Sequence, residues 1–143
     1  MKKSFLLLAV ASVLATACSK KDDATPATMQ LSGSLSGANE APAVTSAGTG
    51  SVGGTYNPST KVLTYTVTYA GITPTAGHFH IGAPGTTGPV AISFTNGLAS
   101  PITGSVTLSD TQVDALKAGN MYVNLHTSAY PADGELRANV VAK

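Results

Sequence analysis

The sequence predicts an all-β domain: an antiparallel β-sandwich or Greek-key barrel carrying one short helix. Three observations lead there. Seven or eight segments of alternating polarity recur at intervals of about 8 to 12 residues, separated by Gly, Pro, Asn and Ser clusters, the rhythm of short antiparallel strands. Charged residues make up only 10% of the 143-residue chain, against 15 glycines and abundant Thr, Ser and Val, the balance of a small exported β domain. A single segment, Ser109 to Gly119, carries helical signals instead.

In order along the chain, Leu31, Gly33 and Leu35 alternate with Ser32, Ser34 and Ser36, an opening strand that stops at Gly37-Ala38-Asn39. Glu40-Ala41-Pro42 is a loop, because proline lacks a sheet donor and holds its predecessor extended. Gly48 to Tyr56 is a Gly- and Thr-rich strand, placed either at an edge or hard against another backbone. Asn57-Pro58-Ser59-Thr60 turns it into the clearest strand, Val62 to Tyr69, with Leu63, Tyr65, Val67 and Tyr69 on one face and three threonines on the other. These two form a hairpin.

Further strands follow at His78 to Ile81, Val90 to Phe94, Ile102 to Leu108, Met121 to Thr127 and Glu135 to Val141, and Gly82 to Pro89 is a surface loop rich in Gly and Pro. Val90 to Phe94 and Ile102 to Leu108 are joined through Asn96-Gly97. In the helix, Ser109 with Gln112 three residues later is a capping box, Asp110 complements the dipole, and Gly119 suits a left-handed stop. Two turns at most fit there, with Val113 and Leu116 facing the sheet.

Ahead of this domain lies an address. Lys2 and Lys3, the apolar run Phe5 to Leu14 and the small residues Ala15-Thr16-Ala17 read as a signal peptide over residues 1–17, too short in its apolar part to span a bilayer. Cys18 follows at once, the chain's only cysteine, and the junction resembles a bacterial lipobox with Ala15 in place of the usual Leu. That resemblance implies lipidation of Cys18; the alternative is plain secretion with an incidental thiol, which has no internal disulfide partner. Residues 18–28 are polar, hold about a quarter of the charged residues and read as a disordered tether. Its Lys20-Lys21-Asp22-Asp23 run resembles the export signal of surface-displayed lipoproteins in the Bacteroidetes group, or is simply a charged spacer. Acyl chains on Cys18 would hold the protein at a membrane of the cell envelope.

The body, residues 29–143, has the size of one domain with one core. Its charges are Lys61, Lys117, Arg137 and Lys143 against Glu40, Asp110, Asp114, Asp133 and Glu135, with no basic stripe. Nucleic acid is therefore not an expected partner.

All three histidines stand in two of the strands. Side chains alternate along a strand, so His78 and His80 share a face, roughly 6.5 to 7 Å apart, with Phe79 and Ile81 behind them. Tyr122, Asn124 and His126 alternate likewise against Val123 and Leu125. If the strands are neighbours, three imidazoles converge. Such a set suits Cu(II) or Zn(II) and leaves a coordination position open. The competing role is structural, with His78, His80 and His126 hydrogen-bonded to each other, to Asn124 or to loop carbonyls. Arg137, the only arginine, shares a strand face with Glu135 and Asn139. An ion pair from Arg137 to Glu40 or Glu135 is the expected structural use of its planar fork. No catalytic triad order, paired catalytic carboxylates or phosphate-cradling loop stands out, so an enzyme is not expected and no catalytic or organic-cofactor residues are assigned; the disfavoured alternative is a metal hydrolase or oxidase using the three histidines.

Taken together, Gly33 with Asn39-Glu40-Ala41-Pro42, His78-Phe79-His80-Ile81-Gly82 with Gly88-Pro89-Val90, Leu116 with Gly119, Tyr122 to Thr127, and Pro131 with Gly134-Glu135-Leu136-Arg137 resemble the CHRD (chordin) domain across roughly residues 30 to 141. Ala43 stands where the family usually has a second proline, and Ala138 where it has glycine. The resemblance implies an immunoglobulin-like sandwich found in microbial exported proteins and in an animal signalling antagonist, without a defined biochemical activity. The His-Phe-His-Ile-Gly run is also similar to the copper-ligand strand of copper-zinc superoxide dismutases, but the further histidines and the cysteine pair of those enzymes are missing. The expected function is a lipid-anchored binding module of the CHRD type with an envelope or extracellular ligand, the alternative a copper or zinc binding protein.

Overall fold

The computed structural model describes residues 27–143. The signal peptide, Cys18 and nearly all of the tether lie outside the described residues. Eight strands form: β1 (Met29–Ser36), β2 (Thr49–Asn57), β3 (Val62–Ala70), β4 (Ala76–Ile81), β5 (Val90–Ser93), β6 (Ile102–Thr107), β7 (Met121–His126) and β8 (Leu136–Ala142), with a 3-10 turn at Gly37–Asn39 and one helix, α1 (Asp110–Lys117). They make a single sheet in the order β5-β4-β7-β8-β1-β2-β3-β6. Every neighbouring pair is antiparallel.

The sheet curls until its two halves face each other as a sandwich. Tyr65 on β3 meets Phe79 on β4 edge-to-face at 5.0 Å, although four strands separate β3 from β4 in the sheet order. Phe94, just past β5, lies 5.4 Å from the same tyrosine ring. Between the halves sits the core: Leu31 and Leu35, Val52 and Tyr56, Leu63 and Val67, then Phe79, Val123, Leu125, Leu136 and Val140, all 3% exposed or less. Side-chain alternation puts these residues inward and leaves the intervening polar ones outside.

Local chemistry sets the connections. Asn57 Oδ1 accepts from the amides of Ser59 and Thr60, closing the β2–β3 hairpin. Gly54 and Gly50 on β2 lie so near the β3 backbone that a Cβ would strike the Thr64 and Thr68 carbonyls. Close backbone packing, rather than an edge position, is what Gly50 and Gly54 serve. The capping box on α1 forms with both of its bonds, and Val113 and Leu116 are buried against the core. Despite the Asn96-Gly97 link, β5 and β6 are not hairpin partners; the connection carries the chain from one end of the sheet to the other.

Candidate metal centre

β4 and β7 are neighbours, so the two histidine strands do meet. Their register pairs His78 with Asn124, His80 with Tyr122 and Ala76 with His126. Because Phe79, Val123 and Leu125 occupy the core face, His78, His80 and His126 all stand on the outer face. The ring centroids lie 5.5 Å apart for His78 and His80, 5.3 Å for His78 and His126, and 6.4 Å for His80 and His126. One ligand nitrogen from each falls within 4.8 Å of the other two. Three atoms so placed lie no farther than about 2.8 Å from a common point, against 2.0–2.1 Å for a zinc–imidazole bond. Closing that difference takes a shift of at most about 0.7–0.8 Å at each ring nitrogen.

Loops roof this outer row, and the roof decides its chemistry. All six residues of β7 are buried, the outward three among them at 3 to 9% exposure. Gly88, in the β4–β5 loop, accepts from His80 Nδ1 at 2.9 Å, and its own amide donates to the Tyr122 hydroxyl at 3.1 Å. A carbonyl only accepts, so Nδ1 carries the His80 proton and Nε2 keeps a lone pair. That Nε2 is buried without a hydrogen-bond partner, as are His78 Nδ1 and both nitrogens of His126. An unsatisfied buried group costs about 1–3 kcal/mol, so the cluster is poorly explained as a hydrogen-bonded structural unit.

Burial also fixes protonation. The pKa values of His78, His80 and His126 are all lowered, chiefly by loss of water, and mutual repulsion between charged rings adds to this for His78 and His126. The Gly88 carbonyl opposes the shift at His80. The Pro131 carbonyl opposes it at His126, from outside hydrogen-bond geometry. Neutral imidazoles are the metal-binding form.

Arg137 departs from the expected ion pair. Its guanidinium is 1% exposed and donates to the carbonyls of Thr86 at 2.7 Å and Ala83 at 3.1 Å, with Cζ 3.6 Å from the Tyr122 ring centre. The only ion pair among the described residues joins Lys61 to Asp110. Glu135 is turned away from Arg137 and accepts from Ser46 and Thr127. Glu40 accepts from Asn124 Nδ2 at 2.8 and 3.0 Å instead. Burial pushes its pKa up to about 7 against the pull of Arg137 and the Asn124 amide. The arginine fork thus clamps the β4–β5 loop through its backbone.

A continuous chain of contacts results. Tyr122 is stacked on His80 with centroids 4.8 Å apart and planes 8° from parallel, and β4 and β8 flank β7, so the ring stands between His80 and Arg137. Arg137 fixes the loop, the loop orients His80, and Tyr122 braces both. Asn124, which the sequence offers only as a hydrogen-bond partner for the histidines, ties the β1–β2 loop to the site through Glu40 and the β7–β8 loop through the Asp133 carbonyl at 2.9 Å. Gly134, with φ of 92°, packs so tightly on the Asn124 amide that any Cβ would collide with it.

A sequence model of the CHRD domain matches residues 31–140. No curated protein and no solved structure matches the chain.

Proposed function

This chain belongs to the CHRD domain family, and from its geometry we propose that the β-sandwich module binds one Zn(II) or Cu(II) ion through His78, His80 and His126. The observation that carries the reading is a set of three neutral imidazoles whose ligand atoms lie within 4.8 Å of one another and whose buried lone pairs have no hydrogen-bond partner. Hydrogen bonding of one ring nitrogen to a backbone carbonyl, as His80 makes to Gly88, commonly fixes tautomer and orientation at a metal-ligating histidine. A bound ion would supply Lewis acidity and an exchangeable fourth position.

We place this module at the cell envelope, held to a bacterial membrane by a lipid on Cys18, on the strength of the lipobox-like junction. Binding is the proposed role; turnover is not. The full chain in detergent, dialysed against either ion and examined by native mass spectrometry, is expected to retain one ion. His80→Ala and His126→Ala should each lose it while keeping the β-rich circular dichroism of the parent. A wild-type chain that retains none refutes the proposal. An acylated Cys18 in the mature protein, and release of the Cys18→Ser chain from membranes, test the anchor.

A further inference from the structure

Arg137 is 1% exposed and carries a full positive charge with no carboxylate in ion-pair range, since Lys61 and Asp110 form the only ion pair among the described residues. Its terminal nitrogens donate to two backbone carbonyls, which hold the guanidinium in place without neutralising it. Tyr122 stands between that cation and His80, with Arg137 Cζ 3.6 Å from the ring centre on one side and the imidazole stacked at 4.8 Å on the other. The field reaches the site. His80 is held below the usual imidazole range chiefly by burial, and the charge of Arg137 adds to this.

Little nearby offsets that charge. The group of ligand atoms consists of three neutral imidazoles, with no carboxylate or thiolate in it. Glu40, the carboxyl bonded to Asn124, has its pKa pushed up to about 7 by burial, and Asp133 is exposed, where water screens it. The nitrogens His78 Nδ1, His80 Nε2 and both of His126 are buried. An ion seated among them keeps its whole charge in a poorly hydrated place, at a cost that grows with the square of the charge. A dication suffers twice, through its own desolvation and through repulsion by Arg137. Imidazole suits zinc and copper alike, but of the two only copper has a monovalent state, and that state is content with three nitrogen ligands. We infer that the site holds copper more tightly as Cu(I) than as Cu(II), and that Arg137 sets this preference through its charge. The inference rests on the metal-binding reading and narrows it to one element and one oxidation state.

The test uses the full chain in detergent, loaded without oxygen with Cu(I) drawn from its bicinchoninate complex and separately with Cu(II), and reads the midpoint potential of the bound ion by spectroelectrochemical titration. That potential is expected to stand at least about 59 mV above the couple of aqueous copper, the shift that a tenfold tighter hold on Cu(I) produces for one electron. Arg137→Met should lower it by about the same amount, since a unit charge at short range inside a protein is worth about tenfold in an equilibrium. Should that variant misfold, Arg137→Gln, which keeps an amide donor for the loop, takes its place. Arg137→Lys keeps the charge and loses the planar fork, so its potential should stay near that of the parent. A bound potential at or below the aqueous couple overturns the inference, while retention of Cu(II) leaves the metal site standing. Equal potentials in the parent and the uncharged variant, or an equal fall with lysine, overturn the part given to Arg137. Failure to retain copper in either state removes both readings.

Discussion

The two halves of the sandwich carry the same alternating pattern and end with opposite outer faces. On β1, β2, β3 and β6 the outward residues form a lattice of hydroxyls, with Ser51 opposite Thr68 and Thr66 opposite Thr103, and these four are exposed. Only light bonds cross it, such as Ser51 to Thr68 at 2.8 Å. On β4, β7 and β8 the outward residues are His78, His80, Tyr122, Asn124, His126, Arg137 and Asn139, and most are buried. Alternation settles which side of the sheet a residue takes. Whether that side meets water is settled by the loops, and three of them, after β1, β4 and β7, fold over one half and none of these over the other.

That contrast can be broken or sharpened by four substitutions. The largest effect is expected from His126→Ala, which should abolish ion retention by dialysis and mass spectrometry, whereas Thr66→Ala on the hydroxyl lattice leaves it intact. Next comes Arg137→Met, which strips the clamp from the Ala83 and Thr86 carbonyls. Urea unfolding should show a loss of about 3 kcal/mol, the scale of removing a buried charged donor from its acceptors.

Glu40→Gln should produce a smaller effect that depends on pH. With its folded pKa pushed up to about 7 from the ordinary 4.5, Glu40 stays protonated in the folded chain where the unfolded chain has released the proton. Its contribution is therefore present at low pH, falls as pH rises from about 4.5 to about 7, and levels off beyond. The histidines act in the opposite sense: their lowered values make stability fall as pH drops below 6.5. Glu40→Gln should leave only the second slope, so that denaturant midpoints measured from pH 5 to 8 rise to a plateau without the opposing decline. Thr66→Ala has the least effect of the four, within about 0.5 kcal/mol of the parent in urea, as befits an exposed site.

Much of this was legible in the sequence because it rests on local rules. The parity of His78 and His80, the same parity of Tyr122, Asn124 and His126, and the Ser109–Gln112 box all follow from spacing. The pairing of β4 with β7 does not, since β5, β6 and α1 intervene and period-two patterns carry no address for a distant partner. The partner of Arg137, though not its use in tying a loop to the sheet, escapes the sequence for a related reason. Carboxylates advertise themselves as arginine partners, while the backbone carbonyls of Ala83 and Thr86 have no signature in residue type. Glycine serves both edge and interior strands, so the sequence does not choose between them for β2; its place between β1 and β3, with the β3 carbonyls pressing on Gly50 and Gly54, does.

The curl of the sheet stops short of closure, and β5 and β6 form its two rims. An unzipped rim offers its backbone to any passing strand, a hazard for molecules crowded on one surface. Here each rim begins directly after a proline, Pro89 or Pro101, and runs for only four or six residues. A residue without an amide hydrogen at the threshold shortens the seam on which a second copy would have to build. The sandwich can thus stay open-sided and still stand apart from its neighbours.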